Sequence, residues 1–132
     1  MGSLSALQGC DDCELGSPRL AFSRQWVMAQ WGLCEQDALC VEVEGDGMHP
    51  TLCDGDIMLV DRRNAWPPED GVYLICLEGV VLLKRLQNLP GQKLRLTSDH
   101  SAYEPFEMNR QDFQYTAQTR ILGRVIWVGH GL

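Results

Sequence analysis

Basic residues are scarce in this sequence: 11 lysines and arginines against 18 acidic residues leave a formal charge of -7 at pH 7. A surface that grips a nucleic-acid backbone needs clustered Lys and Arg, so this stretch of chain is not expected to wrap DNA or RNA itself. Long apolar runs are lacking too. No stretch reaches the ~18 residues of a membrane span, and the N-terminus carries no charged-then-apolar secretion signal. Both absences point to a cytoplasmic protein with no membrane partner. The close cysteine pair Cys10-x-x-Cys13 is followed by no second pair or histidine set at a zinc spacing, so neither a metal nor another cofactor is expected. The other cysteines, at positions 34, 40, 53 and 76, are scattered, and Cys40 and Cys76 lie inside apolar runs. That distribution reads as a reducing compartment rather than a disulfide framework.

What is present suffices for one globular domain: 132 residues, 45% of them hydrophobic. Residues 1–19 show no periodicity and hold Gly, Ser, Pro and Asp, which predicts a flexible N-terminal arm, with Met1-Gly2-Ser3 open to being an expression remnant. Residues 20–132 form the domain. Ser23 can cap a short helix that Gly32 ends, with Phe22 and Trp26 four apart on one face. From Leu39 the signals turn β. Leu39–Glu44 alternates, Ile57–Asp61 is a second strand, and Val72–Leu77 and Val80–Leu86 form a hairpin around Glu78-Gly79. Lys93–Thr97 and Ile121–Val128 complete a mainly β domain with one helix. The turn-rich stretch from Asn64 to Gly71 is excluded from a sheet centre by its prolines.

The densest patterning lies in Glu44-Gly45-Asp46-Gly47-Met48-His49-Pro50-Thr51-Leu52-Cys53-Asp54-Gly55-Asp56. Glycines that permit positive φ and a proline that fixes its own φ predict a shaped loop held between two strands. A single lysine is the second feature. In Val80–Leu86, period two places Lys84 with Leu82 and Leu86, and Arg85 with Val81 and Leu83. Both faces look apolar, so two readings stay open. Either the Lys84 stem lies on apolar surface with its ammonium in water, or the amine is buried enough to lose its proton and act as a general base.

The stretch Gly45–Asp61 resembles the G-D-S-M-x-P-T-L-x-D-G-D-x-x-L-V-D signature of LexA-like peptidase domains, the S24 serine-lysine group. That group includes lambda-type phage repressor C-terminal domains and UmuD-like proteins. Val81-Leu82-Leu83-Lys84-Arg85-Leu86 is similar to the group's V-x-V-K-R-L block. Leu96–Phe106 is similar to its L-x-S-D-N-x-x-Y-x-P-F segment, and Ile121–Trp127 to its closing I-x-G-R-V-x-W strand. These blocks fall in the family's order and cover roughly residues 20 to 132.

The resemblance implies a LexA-like fold of strongly bent antiparallel sheets with one short N-terminal helix. It also implies a Ser-Lys dyad with Lys84 as general base, and a cleft and oxyanion region at Asp46, Met48 and Pro50. Such domains form homodimers, and a RecA-type recombinase filament stimulates their self-cleavage after DNA damage. They reach operator DNA only through a separate N-terminal helix-turn-helix domain, expected here outside this chain. The departure is at the nucleophile: the serine position is Gly47. With no hydroxyl there, the chain is expected not to cleave itself. Thr51 and Cys53, four and six residues on, are not expected to substitute. Two origins fit the glycine, a substitution that traps the uncleaved form or a natural non-cleaving member. The family's usual Ala-Gly or Cys-Gly scissile pair is absent. Gln8-Gly9 lies at a suitable distance and Leu15-Gly16 is apolar enough but slightly close. The function expected is the dimerisation and damage-sensing domain of a bacterial or phage repressor. The alternatives are a UmuD-like partner of translesion synthesis or a peptidase-inactive dimerisation module.

Overall fold

The computed structural model describes residues 5–6, 22–63, 66–113 and 118–130. Its helix α1 spans Arg24–Trp31 and begins as the sequence predicts. The Ser23 hydroxyl accepts the Trp26 N–H at 3.2 Å, and Gly32 closes the helix in the left-handed conformation at φ 67°, donating to the Met28 carbonyl. Phe22 stacks on Trp26 with ring centroids 5.9 Å apart, and both rings meet Trp127 edge-on. The helix is thereby fastened to the last strand, with Val27, Leu33 and Leu59 buried beneath.

The strands are β1 (Ser5–Ala6), β2 (Ala38–Glu42), β3 (Ile57–Asp61), β4 (Gly71–Leu77), β5 (Val80–Leu89), β6 (Lys93–Thr97), β7 (Phe106–Asn109) and β8 (Arg120–Gly129). They form one antiparallel sheet in the order β1-β2-β3-β8-β4-β5-β6-β7. The expectation of strongly bent sheets is therefore corrected: this single continuous sheet is not strongly curled. Its ladders carry only two register shifts, at Leu59/Val60 and Leu74/Ile75, both against β8. Bulges are what bend a sheet locally, and two are few for eight strands.

Both faces are covered by apolar side chains. Val41, Met58, Val60, Leu74 and Leu83 share one core with Met48 and Leu52 from the loop between β2 and β3. Ile75, Leu86, Leu94, Leu96 and Phe113 form a second. Adjacent residues of β4 thus enter different cores, which explains why the run from Tyr73 to Cys76 is buried throughout rather than alternating. The β4–β5 turn is made by Glu78 and Gly79, both at positive φ (51° and 84°), the backbone a two-residue hairpin requires. Strand β7 is an addition to the sequence reading. Its side chains are largely exposed at the sheet edge, so Phe-Glu-Met-Asn carries no burial pattern to betray it.

Of residues 1–19, Ser5–Ala6 is described, paired with Glu42 and Val41 of β2. The Gln8-Gly9 and Leu15-Gly16 pairs, and the Cys10 and Cys13 thiols, lie outside the described residues. Among the described residues no helix is long and apolar enough to cross a membrane.

Candidate functional site

The loop after β2 is shaped by its own backbone. Val43 N–H donates to the Asp56 carbonyl and Gly55 N–H returns to the Val43 carbonyl, both at 2.8 Å, closing the neck of the loop. Gly45 and Gly55 sit at φ 91° and 89°, where a side chain would be strained. Gly45 N–H is held by the Asp54 carboxylate at 2.7 Å. Asp56, almost fully buried, accepts from Cys53 N–H at 2.8 Å and lies 3.1 Å from His130 Nδ1. Met48 and Leu52 plug the loop into the core.

A second loop, between β6 and β7, closes over the first. His100 N–H donates to the Gly47 carbonyl at 3.1 Å, and Asp99 N–H points at Met48 Sδ, 3.5 Å away. Tyr103 donates its hydroxyl to Asp46 at 2.8 Å, an arrangement that lowers the Asp46 carboxyl and raises the Tyr103 phenol from their ordinary values. Asp99 receives a bidentate Arg85 guanidinium, at 2.9 and 2.7 Å, together with the Thr51 hydroxyl. These contacts join the loop carrying Gly47 to the hairpin carrying Lys84.

Between them is a pocket of about 120 Å³ lined by Val43, Glu44, Gly45, Gly47, Met48, Leu82, Leu83, Lys84, Ser98 and Tyr103. Lys84 is half-buried, and burial pushes its amine below the ordinary lysine value. Its Nζ donates to Ser98 Oγ at 2.7 Å and lies 6.0 and 5.7 Å from the ring centroids of Tyr103 and Phe106. The amine is thus partly withdrawn from water, between a fully solvated ammonium and a fully buried one. A partly desolvated amine with no carboxylate partner among the described residues has chemistry to offer: in its neutral form it can take a proton from a hydroxyl. Gly47, across the same pocket, has no side chain to present one. A Cβ built there meets nothing within 4 Å, so the backbone leaves open space for a side chain.

The profile of the Peptidase S24-like family matches residues 1–126. The chain belongs to that family. It is 26% identical over 114 residues to the HTH-type transcriptional regulator PrtR of Pseudomonas aeruginosa, an alignment covering 86% of this chain and 44% of that protein. It is also 29% identical over 89 residues to the Repressor protein CI of Enterobacteria phage phi80, covering 67% of this chain and 35% of the repressor. The S24-like chain thus spans less than half the length of these curated relatives.

The residues singled out in the sequence divide. Gly47, Met48 and Lys84 line the S24-like pocket, whereas Asp46 and Pro50 are exposed and do not line it. Thr51 and Cys53 do not line it either. The Thr51 hydroxyl is held by Asp99, and the Cys53 thiol faces the Pro50 carbonyl at 3.8 Å. Ser98 and Tyr103 were not singled out in the sequence. Ser98 follows Thr97, which pairs with Arg85 beside Lys84, so it comes near the lysine only through the β5–β6 pairing that the sequence does not name.

Proposed function

We propose that residues 20–132 are the dimerising, damage-sensing domain of a bacterial or phage transcriptional repressor, with Lys84 as the general base and position 47 as the place of the nucleophile. Gly47 makes this chain non-cleaving. The observation that carries the reading is the meeting of a partly desolvated Lys84 amine and a side-chain-free Gly47 on one small pocket. The names of the two relatives, a transcriptional regulator and a repressor, favour this reading over a UmuD-like partner of translesion synthesis.

In the cleaving form of such a domain, the neutral lysine takes the proton of the residue-47 hydroxyl as its oxygen attacks the scissile carbonyl. The resulting ammonium then protonates the departing amine, and water releases the acyl group from the serine by the same proton relay. Glycine removes the attacking atom and leaves the base intact. The wider setting follows: a homodimer, a RecA-type filament as stimulus, and operator DNA reached through a helix-turn-helix domain outside this chain. The bond to be cut is Gln8-Gly9 or Leu15-Gly16 in residues 1–19, or one N-terminal to this chain. Cleavage there separates DNA-binding and dimerising parts, and the affinity that depended on paired half-sites falls.

One observation supports a second reading, a peptidase-inactive dimerisation module. The contacts that close the β6–β7 loop over the site use Asp46, Met48, Thr51 and the Gly47 carbonyl, none of which requires a serine side chain. Replacing Gly47 by Ser distinguishes the two. Incubated at alkaline pH and followed by intact mass, the Gly47→Ser chain is expected to yield two fragments whose masses identify the bond, while the glycine chain stays whole. A serine chain that remains intact, even with a cleavage-site peptide supplied in trans, would sink the peptidase ancestry of the site.

A further inference from the structure

Ser98 is 6% exposed and follows directly on β6, one residue beyond the last β5–β6 pair, Arg85 with Thr97. Its hydroxyl accepts from Nζ at 2.7 Å and lies on the pocket wall shared with Gly47. A buried serine needs a partner, and this one has taken the functional amine. A primary amine rotates freely about its last bond, so a base with four methylenes needs something to aim it. One N–H fixed on Ser98 confines the rest of the amine, including the lone pair of its neutral form, to the pocket side of the contact.

We propose that Ser98 is the positioning residue for Lys84: it anchors the amine on the far wall of the pocket so that the remaining valences face position 47. This inference rests on Lys84 being the base, as proposed above. The surroundings leave the task to Ser98. Leu82 and Leu83 line the pocket from the lysine's own strand, and the Tyr103 and Phe106 rings stand near 6 Å. Among the described residues, the charged and titratable groups near the amine are few. Glu44 lines the same pocket from the β2 side, Tyr103 is committed to Asp46, and Asp99 is engaged by Arg85 and Thr51. Among the described hydrogen bonds, the Lys84 amine is held by a hydroxyl rather than a carboxylate, a partner that fixes its direction without holding it charged as an ion pair would.

Ser98 is not itself placed to be a nucleophile. The backbone N–H groups that follow it are engaged, Asp99 on Met48 Sδ and His100 on the Gly47 carbonyl, so neither is free to stabilise an oxyanion at Ser98.

The chain has two lysines, Lys84 and Lys93, so isotope-labelled lysine followed by NMR reads Lys84 directly, with exposed Lys93 as internal reference. The full chain is compared as it stands and as Ser98→Ala and Ser98→Thr. A hydroxyl acceptor favours the ammonium, so Ser98→Ala is expected to move the Lys84 midpoint down by about one pH unit, with Ser98→Thr near the parent and Lys93 unmoved. In the Gly47→Ser background the same Ser98→Ala change is expected to lower the alkaline plateau of self-cleavage about 10- to 100-fold while its midpoint also moves to lower pH. Ser98→Thr restores both.

A fall in both quantities at once is not what loosened folding would produce, and far-UV circular dichroism checks the fold of each variant. An unmoved Lys84 midpoint overturns the proposal, as does an unchanged plateau. If Gly47→Ser never cleaves, the peptidase reading fails, yet the titration still decides whether Ser98 holds the amine. Finally, a fluorophosphonate added to the glycine chain is expected to leave its mass unchanged. An adduct on Ser98 would make that residue a nucleophile and overturn its assignment as a positioning residue.

Discussion

Two concavities of this domain teach opposite lessons about what marks a site. The larger, about 350 Å³, is lined by Asp61, Arg63, Trp66, Glu69, Tyr73, Arg120 and Arg124 among others. Two of its arginines meet opposite charges: Arg63 pairs with Asp61 at 2.9 Å and Arg124 with Glu69 at 3.2 Å. The smaller, about a third of that volume, holds Lys84 on a hydroxyl, with burial as the cause of its lowered proton affinity. Volume measures room, whereas chemistry needs a group whose charge is left unsatisfied. In the large pocket, Arg63 and Arg124 each have a carboxylate partner. In the small one, a half-buried cation is held by a hydroxyl and forms no ion pair among the described residues, and its partial burial favours the neutral form.

That contrast can be broken most forcefully at Lys84. In the Gly47→Ser chain, Lys84→Met is expected to lower the self-cleavage rate by about a thousandfold or more, since the general base is removed without changing stem length. Fragment formation followed over days by intact mass would read it. Surviving cleavage would transfer the base to another group.

Next in size is a change confined to the large pocket. Gly123 on β8 lines it, and a Cβ there would lie 2.5 Å from Val60 Cγ1 and 2.6 Å from the Asp61 carbonyl oxygen. Gly123→Ala should therefore destabilise by about 1–3 kcal/mol in urea unfolding, through overpacking between β3 and β8. In the Gly47→Ser background it should leave the cleavage midpoint in pH unmoved.

A smaller effect tests the clasp over the small pocket. Arg85 beside Asp99 holds that carboxyl below the ordinary aspartate value, with the Thr51 hydroxyl adding to the same end. A depressed folded value means the stabilisation is fully present above the unfolded aspartate pKa of about 3.9 and disappears as pH falls through the folded one. Asp99→Asn should flatten the acid side of a stability-against-pH curve, measured by thermal unfolding between neutral pH and about pH 3. A curve as steep as the parent's would show that Asp99 contributes nothing there.

The smallest effect is expected from Arg124→Ala. Its partner Glu69 is largely exposed, and exposed pairs contribute about 0–1 kcal/mol, so both stability and cleavage in the serine chain should be close to the parent. A large loss of cleavage would overturn the separation of the two pockets.

Much of this was legible in the sequence wherever local chemistry decides. Ser23 and Gly32 delimit α1 because capping is a property of the residues beside the cap. Glu78-Gly79 announces its hairpin because the turn demands positive φ. The shape of the 44–56 loop follows from its glycines in the same way. The surroundings of Lys84 were not legible, because alternation cannot separate two faces that are both apolar, and β5 contributes Val81 and Leu83 to one core and Leu82 and Leu86 to the other. Sheet order was beyond reach for a different reason. The pairing of β8 with β3 and β4 joins segments more than forty residues apart, and nothing local in Ile121–Val128 names its neighbours. The inferred bending of the sheet came with the family resemblance and had no local residue pattern behind it.

The place of β8 between β3 and β4 has a consequence for timing. Strands β1 to β3, with the loop that carries Gly47, form one half of the sheet, and β4 to β7, with Lys84 and Ser98, form the other; β8 is the seam. A ribosome delivers the chain from its N-terminus, so both half-sites emerge before the strand that zips them together. Until that strand arrives, only the loop-to-loop clasp around Asp99 and Tyr103 and the shared apolar core hold the two halves together. A serine-bearing version of this domain would therefore have its full sheet behind the site only at the end of its synthesis.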